Sequence, residues 1–291
     1  MGNLREIKRR IKSVRNTSQI TKAMQMVASA KMHRAQDQAL KGRAYLGNLA
    51  HVLATLQTVI DQSERPLMRQ RDHGRDLVIV VNTDRGLCGA LNSNLFRLVR
   101  EECPEDSVYI TLGSKLNVQF AKYGYDLAAT WSLGDPVRPV ELKPIGDFIR
   151  KGFLSGEYKR VRLAYSSFVN VMVQKPTLRT LLPISREELL DVAVQGQSAV
   201  EENGSARQYI LEPSPEALLD AILPLYMFSI FMQTILEARA SEQSARMVSM
   251  KAATENAEKL IGELTLDYNK ARQNQITNEL LEITTAMRAM E

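Results

Sequence analysis

A chain of 291 residues, 44% hydrophobic and 24% charged, can bury a core and has the balance of an ordinary soluble fold. Aromatic residues are sparse at 6%, with Trp131 the one tryptophan, which favours long helices over a β-rich core. Cys88 and Cys103 are too few for a disulfide framework and suit a reducing compartment; neither they nor His33, His51 and His73 fall into a metal-ligand spacing.

The net charge of +5 is unevenly placed. Between Met1 and Arg43 eleven Lys and Arg face only Glu6 and Asp37, so this segment alone carries +9. Such an arm seeks an acidic protein surface, nucleic acid or an anionic membrane, unless it is simply a solvated helix face. No apolar signal-peptide core precedes it. A basic amphipathic start also resembles a transit peptide, but the helical pattern continues far past the length of a removable leader.

From the N-terminus to Pro66, apolar or small residues recur every 3.5 positions: Leu4, Ile7, Ile11, Val14, Ser18, Thr21, Gln25, Ala28, Met32, Ala35, Ala39, Gly42, Leu46, Leu49, Leu53, Leu56 and Ile60. This spacing predicts a coiled-coil helix of roughly 85–90 Å. Its middle, Ser18 to Gly42, is small or polar, which permits close approach of another helix with little apolar grip.

The pattern then changes. Asp76–Asn82 reads as a buried parallel strand. A glycine-containing loop, Thr83–Asn92 (TDRGLCGALN), follows it, then a helical stretch to Glu102. Strands are expected at Val108–Leu112, Asp126–Trp131, Val161–Ser166, Val169–Gln174 and Arg179–Pro183, with helices at Lys115–Lys122 and Glu141–Leu154. Ser185–Asn203 is less regular, Glu201–Ser205 reads as a loop and Arg207–Leu211 as a last strand. Strand–helix alternation predicts an α/β sandwich with a largely parallel sheet.

Ser214 before Pro215 has the form of a helix start, with Ser as N-cap and Pro at the first helical position. The sixteen uncharged residues Ala221–Leu236 fall short of the roughly 20 a membrane span needs and contain Pro224 and Gln233, so a buried helix is expected. A second seam runs through Ile222, Leu225, Ser229, Met232, Leu236, Ala240, Gln243, Met247, Met250, Ala257, Ile261, Leu264, Tyr268 and Ala271. Two long helices with matching small-residue centres should pair; periodicity leaves their relative direction open.

Catalytic chemistry finds little footing. Gly86-Leu87-Cys88-Gly89 is neither a dinucleotide fingerprint nor a P-loop, and a tight strand-to-helix turn needs the glycines in any case, though Asp84 and Arg85 stand beside it. Cys88 near a helix start has no histidine placed to act on it, and Ser166 and Ser167 lack a nucleophile-elbow setting. No catalytic residue, metal site or cofactor is assigned. Nucleic-acid binding by the basic arm is disfavoured, because the first forty-four residues contain no aromatic group for stacking.

Four stretches resemble one family. Arg10–Val27 (RIKSVRNTSQITKAMQMV) is similar to the N-terminal signature of ATP synthase gamma subunits, and Ala240–Ala257 (ASEQSARMVSMKAATENA) to the C-terminal one, continued by Tyr268–Ile283 (YNKARQNQITNELLEI). Thr83–Asn92 resembles the family's T-D-R-G-L-C-G-x-x-N loop. The resemblance implies an antiparallel coiled coil of the terminal helices with a central Rossmann-like α/β sandwich, divided at 1–65, 75–212 and 214–291. It further implies a non-catalytic central rotor that couples proton-driven rotation of the c ring to conformational cycling of an alpha/beta hexamer.

The partners implied are alpha and beta subunits (three of each per copy), the epsilon subunit and the c ring. The location the resemblance implies is the cytoplasmic face of a bacterial inner membrane, held peripherally through the complex. Met24, Arg246, Gln273, Thr277 and Glu279 match positions used at the rotor–stator contact; Arg9, Arg10 and Lys12 would face acidic loops of beta; Tyr45 and Tyr209 fall where the foot meets epsilon and the ring. For each, ordinary packing is the competing role. The absence of an inserted cysteine pair between Ser185 and Arg207, with Met1 close to the first motif, suits a bacterial member. A structural coiled-coil adaptor and a nucleotide-binding enzyme are the competing readings.

Overall fold

The computed structural model describes residues 2–56, 65–185, 189, 192 and 214–290. In chain order the elements are α1 (Gly2–Leu56), β1 (Arg75–Val81), α2 (Leu91–Glu102), β2 (Val108–Leu112), α3 (Asn117–Lys122), β3 (Asp126–Trp131), α4 (Pro139–Ser155), β4 (Tyr158–Phe168), β5 (Gln174–Leu182) and α5 (Pro215–Met290). The chain divides into two compact units, Met1–Ser29 with Arg246–Glu291, and Ala30–Ala245.

The second unit is built on a five-stranded sheet of order β3-β2-β1-β4-β5. β1 pairs in parallel with β2 and β4, β2 in parallel with β3, and β5 returns antiparallel to β4. β1 is central, which explains its unbroken apolar run: six of its seven residues are buried because both faces are covered. On one face Val78, Val80, Tyr109 and Ala164 pack against Leu95, Phe96 and Val99 of α2 and Phe120 of α3. On the other, Leu77, Ile79, Ile110 and Leu163 join Ile145, Ile149 and Phe153 of α4. Leu46, Ala50 and Leu53 of α1 and Tyr226, Ile230 and Phe231 of α5 enter that same core. The apolar stretch Ala221–Leu236 is therefore a helix laid on a sheet, although α5 is also long and apolar enough to meet the length and composition of a span.

Local chemistry sets the helix ends. Ser214 Oγ accepts the Ala217 N–H at 3.2 Å, capping α5 with Pro215 at its first position. The backbone N–H of Glu216 itself, with the Ser214 hydroxyl, holds the Glu216 carboxyl below its ordinary pKa. α4 likewise starts on a proline and ends on Gly156, whose φ of 87° is the left-handed conformation of a helix C-cap.

The strand expected at Val169–Gln174 is not one. Asn170 Oδ1 accepts the N–H groups of Met172 and Val173, both at 2.9 Å, and folds Val169–Val173 into a hairpin turn. β4 and β5 are accordingly longer than the expected Val161–Ser166 and Arg179–Pro183. Pro176 is tolerated inside β5 because β5 lies at the sheet edge. Ser185–Asn203, Glu201–Ser205 and Arg207–Leu211 fall almost wholly outside the described residues.

Candidate functional site: the paired terminal helices

In the unit of Met1–Ser29 and Arg246–Glu291, Thr21 Oγ1 and Thr254 Oγ1 lie 2.7 Å apart across the seam. From that pair burial follows 3- and 4-residue steps: Ser18, Val14, Ile11, Ile7 and Leu4 in α1, and Ala257, Ile261, Leu264, Tyr268 and Ala271 in α5. In α5 it ends at Gln275. Counting outward from the threonine pair, that is where a helix running the opposite way would reach the start of α1. Antiparallel pairing accounts for both limits, and the 3.5-residue period makes the pair a coiled coil.

The seam is thin. Ser18, Ala28, Met250, Thr254 and Ala257 are buried, but the larger apolar residues Ile7, Ile11, Val14, Ile261 and Leu264 are only half-buried. Small groups bring the backbones close, and a hydroxyl pair replaces an apolar contact at its centre.

Of the residues singled out from sequence, Arg9, Arg10 and Lys12 are exposed, as are Arg5, Lys8, Arg15 and Lys22, so this part of α1 presents a dense cationic surface. Met24 is half-buried beside the seam positions Thr21 and Gln25. Gln273, Thr277 and Glu279 are exposed on α5; Thr277 Oγ1 donates to the Gln273 carbonyl at 2.9 Å, and Glu279 Oε1 accepts from Gln275 Nε2 at 2.8 Å. Arg246 differs from these in being 8% exposed within its own chain. Tyr45, in the other unit, is 52% exposed, and Tyr209 lies outside the described residues.

One feature escaped the sequence seam, which stopped at Ala271. Ile276, five residues past Ala271 and one position out of phase with the seam, opens a separate run of 4- and 3-residue steps through Leu280, Ile283, Met287 and Met290, and all are exposed, from 46% at Ile276 to 90% at Met290. Leu281 adds to the strip at 58%. The signal was the period itself, resumed over a stretch where α1 offers no partner.

The glycine loop is a closed turn. Asn92 Nδ2 donates to Thr83 Oγ1 at 2.7 Å, Thr83 N–H donates to Asn92 Oδ1 at 3.3 Å, and Thr83 Oγ1 donates to the Arg85 carbonyl at 2.8 Å. Leu87 and Gly89 take positive φ of 64° and 59°, and Cys88 is buried. Strand order reverses between β1 and β4, where α/β sheets commonly bind nucleotides. Here that crevice is lined by Asn82, Thr83, Asn92 and Ser166 and filled by Ala238, Arg239 and Glu242 of α5, leaving about 10 Å³. That volume suits roughly one water, not a nucleotide.

With this geometry in hand, likeness to known proteins is decisive. A family model described as ATP synthase matches residues 3–290. The ATP synthase gamma chain of Akkermansia muciniphila is 64% identical over 291 residues, covering 100% of both chains. The chain belongs to the ATP synthase gamma-chain family. The gamma chain of Methylacidiphilum infernorum is 42% identical, again over the full length of both. In fold, a chain of the Euglena gracilis mitochondrial ATP synthase rotor, in rotational state 1, superposes with a TM-score of 0.64 at 20% identity, covering 94% of this chain and 99% of that one. As a gamma chain it is the central rotor subunit, non-catalytic itself, and a peripheral part of a membrane complex.

Proposed function

We propose that the helix pair does its work inside a hexamer of three alpha and three beta subunits, one copy per hexamer, while the sheet unit meets the epsilon subunit and the c ring. The complex would stand on the cytoplasmic face of a bacterial inner membrane. The observation that carries this reading is the apolar strip Ile276–Met290 of α5: a soluble helix with five exposed large residues at coiled-coil spacing is completed by an apolar surface on a partner. The Euglena rotor and the Tetrahymena thermophila central stalk with its c ring, both of like fold, come from mitochondrial ATP synthases.

Coupling follows from differential contact. A rotor that is not threefold symmetric meets each of three equivalent partners with a different face, and stabilises a different conformation in each. Arg9 and Arg10 would meet acidic loops of beta. Met24, Arg246, Gln273, Thr277 and Glu279 would form the remaining rotor–stator contacts, with Arg246 acting from its buried position by fixing helix spacing. Tyr45 and Tyr209 would serve the foot. The divisions at 1–65, 75–212 and 214–291 are functional ones on this reading: two helices that touch the stator and a block that touches the ring.

Affinity purification from membranes, with subunits counted, tests the assembly. Three alpha and three beta subunits per copy are expected. Recovery as a free homo-oligomer would overturn the reading in favour of a structural adaptor.

A further inference from the structure

The glycine loop Thr83–Asn92, which binds nothing in the scheme above, touches the elements that hold α5. Asp84 Oδ2 accepts from Ser132 Oγ at 2.9 Å, tying this loop to the segment that leaves β3. That segment supplies the Leu133 carbonyl, which accepts from Arg239 Nη2 at 3.2 Å, and Asp135, which pairs with Lys31 of α1 at 2.6 Å. Arg239 is held in turn by Glu242 at 2.8 Å, and both are largely buried.

A second hold comes from the β4–β5 hairpin. Glu237 Oε1 accepts from Ser167 Oγ at 2.7 Å and from the Phe168 N–H at 3.2 Å. Two turns further on, Ser244 Oγ donates to the Val171 carbonyl at 2.8 Å. All these groups belong to the Ala30–Ala245 unit, at the edge of the sheet where β1, β3 and β4 end.

Their placement around the helix matters more than their number. At about 100° per residue, Ser244 lies within about 20° of Glu237, whereas Arg239 lies about 200° away. The hairpin therefore grips one side of α5 and the β3–α4 segment the opposite side. Forces applied on opposite sides of an axis make a couple, which resists turning about that axis in either sense. Apolar packing alone slides more readily, because it has no preferred direction, whereas a charge-assisted hydrogen bond does.

We infer that these two loops, braced by the glycine loop through Asp84 and Ser132, form a polar collar that transmits torque between the sheet unit and α5, with Glu237 and Arg239 as its positioning residues. The inference rests on the rotor reading and adds the place where torque enters the helix. It also gives the signature loop a mechanical role in place of a phosphate-binding one. Asn92 and Thr83 keep the loop closed, and Asp84 is the group it extends to its neighbour.

The test is the angular fluctuation of a probe on the c ring of the assembled complex, with the alpha/beta hexamer fixed to a surface. Arg239→Ala removes one of the two opposed holds and should raise the angular variance by up to about twofold, whereas Glu237→Ala leaves the Ser244 contact in place and should raise it by less. Glu237→Gln keeps a carbonyl oxygen for the Ser167 hydroxyl and should return the variance most of the way to wild type, whereas a merely structural role would leave the variance unmoved. ATP hydrolysis by the complex stripped of its ring should change little. Ser167→Ala reads the same grip without touching α5, and decides the matter should Glu237→Ala fail to assemble. Unchanged variance in Ser167→Ala and Arg239→Ala overturns the collar. Failure of the wild-type chain to co-purify with alpha and beta subunits would instead overturn the rotor reading on which it rests.

Discussion

In β1 the six residues from Asp76 to Val81 are all buried, five of them apolar; in α1 from Leu4 to Val14 only every third or fourth residue is even half-buried. The sheet unit carries its own core on both faces. The helix pair has a narrow seam, a hydroxyl pair at its centre and an apolar strip with no partner among the described residues. A region that satisfies its own groups is suited to bear load as a block. One that leaves apolar and cationic surface open is suited to be completed by others. The two units thus divide the labour of a coupling subunit along a difference in burial.

Substitution should expose that difference most strongly in the core. Phe231 is fully buried, so Phe231→Ala should destabilise the isolated chain by about 3–5 kcal/mol in urea titration. Ile11→Ala, at a half-buried seam position, should change it by less than about 1.5 kcal/mol. Equal effects would mean that the helix pair carries a core as firm as the sheet's. A smaller loss, about 1–3 kcal/mol, is expected for Gly113→Ala. Gly113 has a φ of 119°, and a Cβ there would run into the Asn82 side chain and backbone, so the turn after β2 must shift; thermal melting reads it.

Cys103 reports on the sheet unit in another way. Burial pushes its thiol from 9.0 to about 11, against the lowering influence of the Arg162 guanidinium. At pH 8 its alkylation should be about a hundredfold slower than that of an unperturbed thiol, as mass spectrometry of the labelled peptide would show. The raised folded value also fixes a sign. Stability from this group is constant below pH 9.0, falls as the unfolded chain ionises first, and levels off above about pH 11. The smallest effect is expected at the seam's centre. Thr254→Val removes the contact with Thr21 but adds a methyl group to the interface, so the net change should stay within about 1 kcal/mol in the same urea titration.

Much of this contrast is legible in the sequence. The α1 seam from Leu4 to Leu56 is buried or half-buried at every described position, because a helix with one partner has one periodic stripe. The strands Val108–Leu112 and Asp126–Trp131 have the bounds that their apolar runs suggest. The α5 seam was less reliable near its start, where Leu225 is 45% exposed while Tyr226 and Met227 are buried. There the helix covers a sheet face and buries a broad sector, which a coiled-coil period does not describe. Asn170 disguised a turn inside an apolar run, and Pro176 disguised an edge strand. Of the site residues, Arg9, Arg10, Gln273, Thr277 and Glu279 are exposed, as their places outside the seam predict, while the burial of Arg246 was invisible to spacing alone. The collar at Glu237 and Arg239 depends on hydrogen bonds to loops about 70 and 106 residues earlier in the chain, which no local pattern encodes.

The central claim, that function lies in the contacts of the helix pair, is tested most directly by proton pumping per ATP hydrolysed in membrane vesicles carrying Met24→Lys. Met24 is half-buried at the edge of the seam, so a lysine there can place its charge at the partner surface without disrupting the core. Pumping per ATP should fall while assembly with alpha and beta subunits is retained; an unchanged ratio in the assembled complex would contradict the claim.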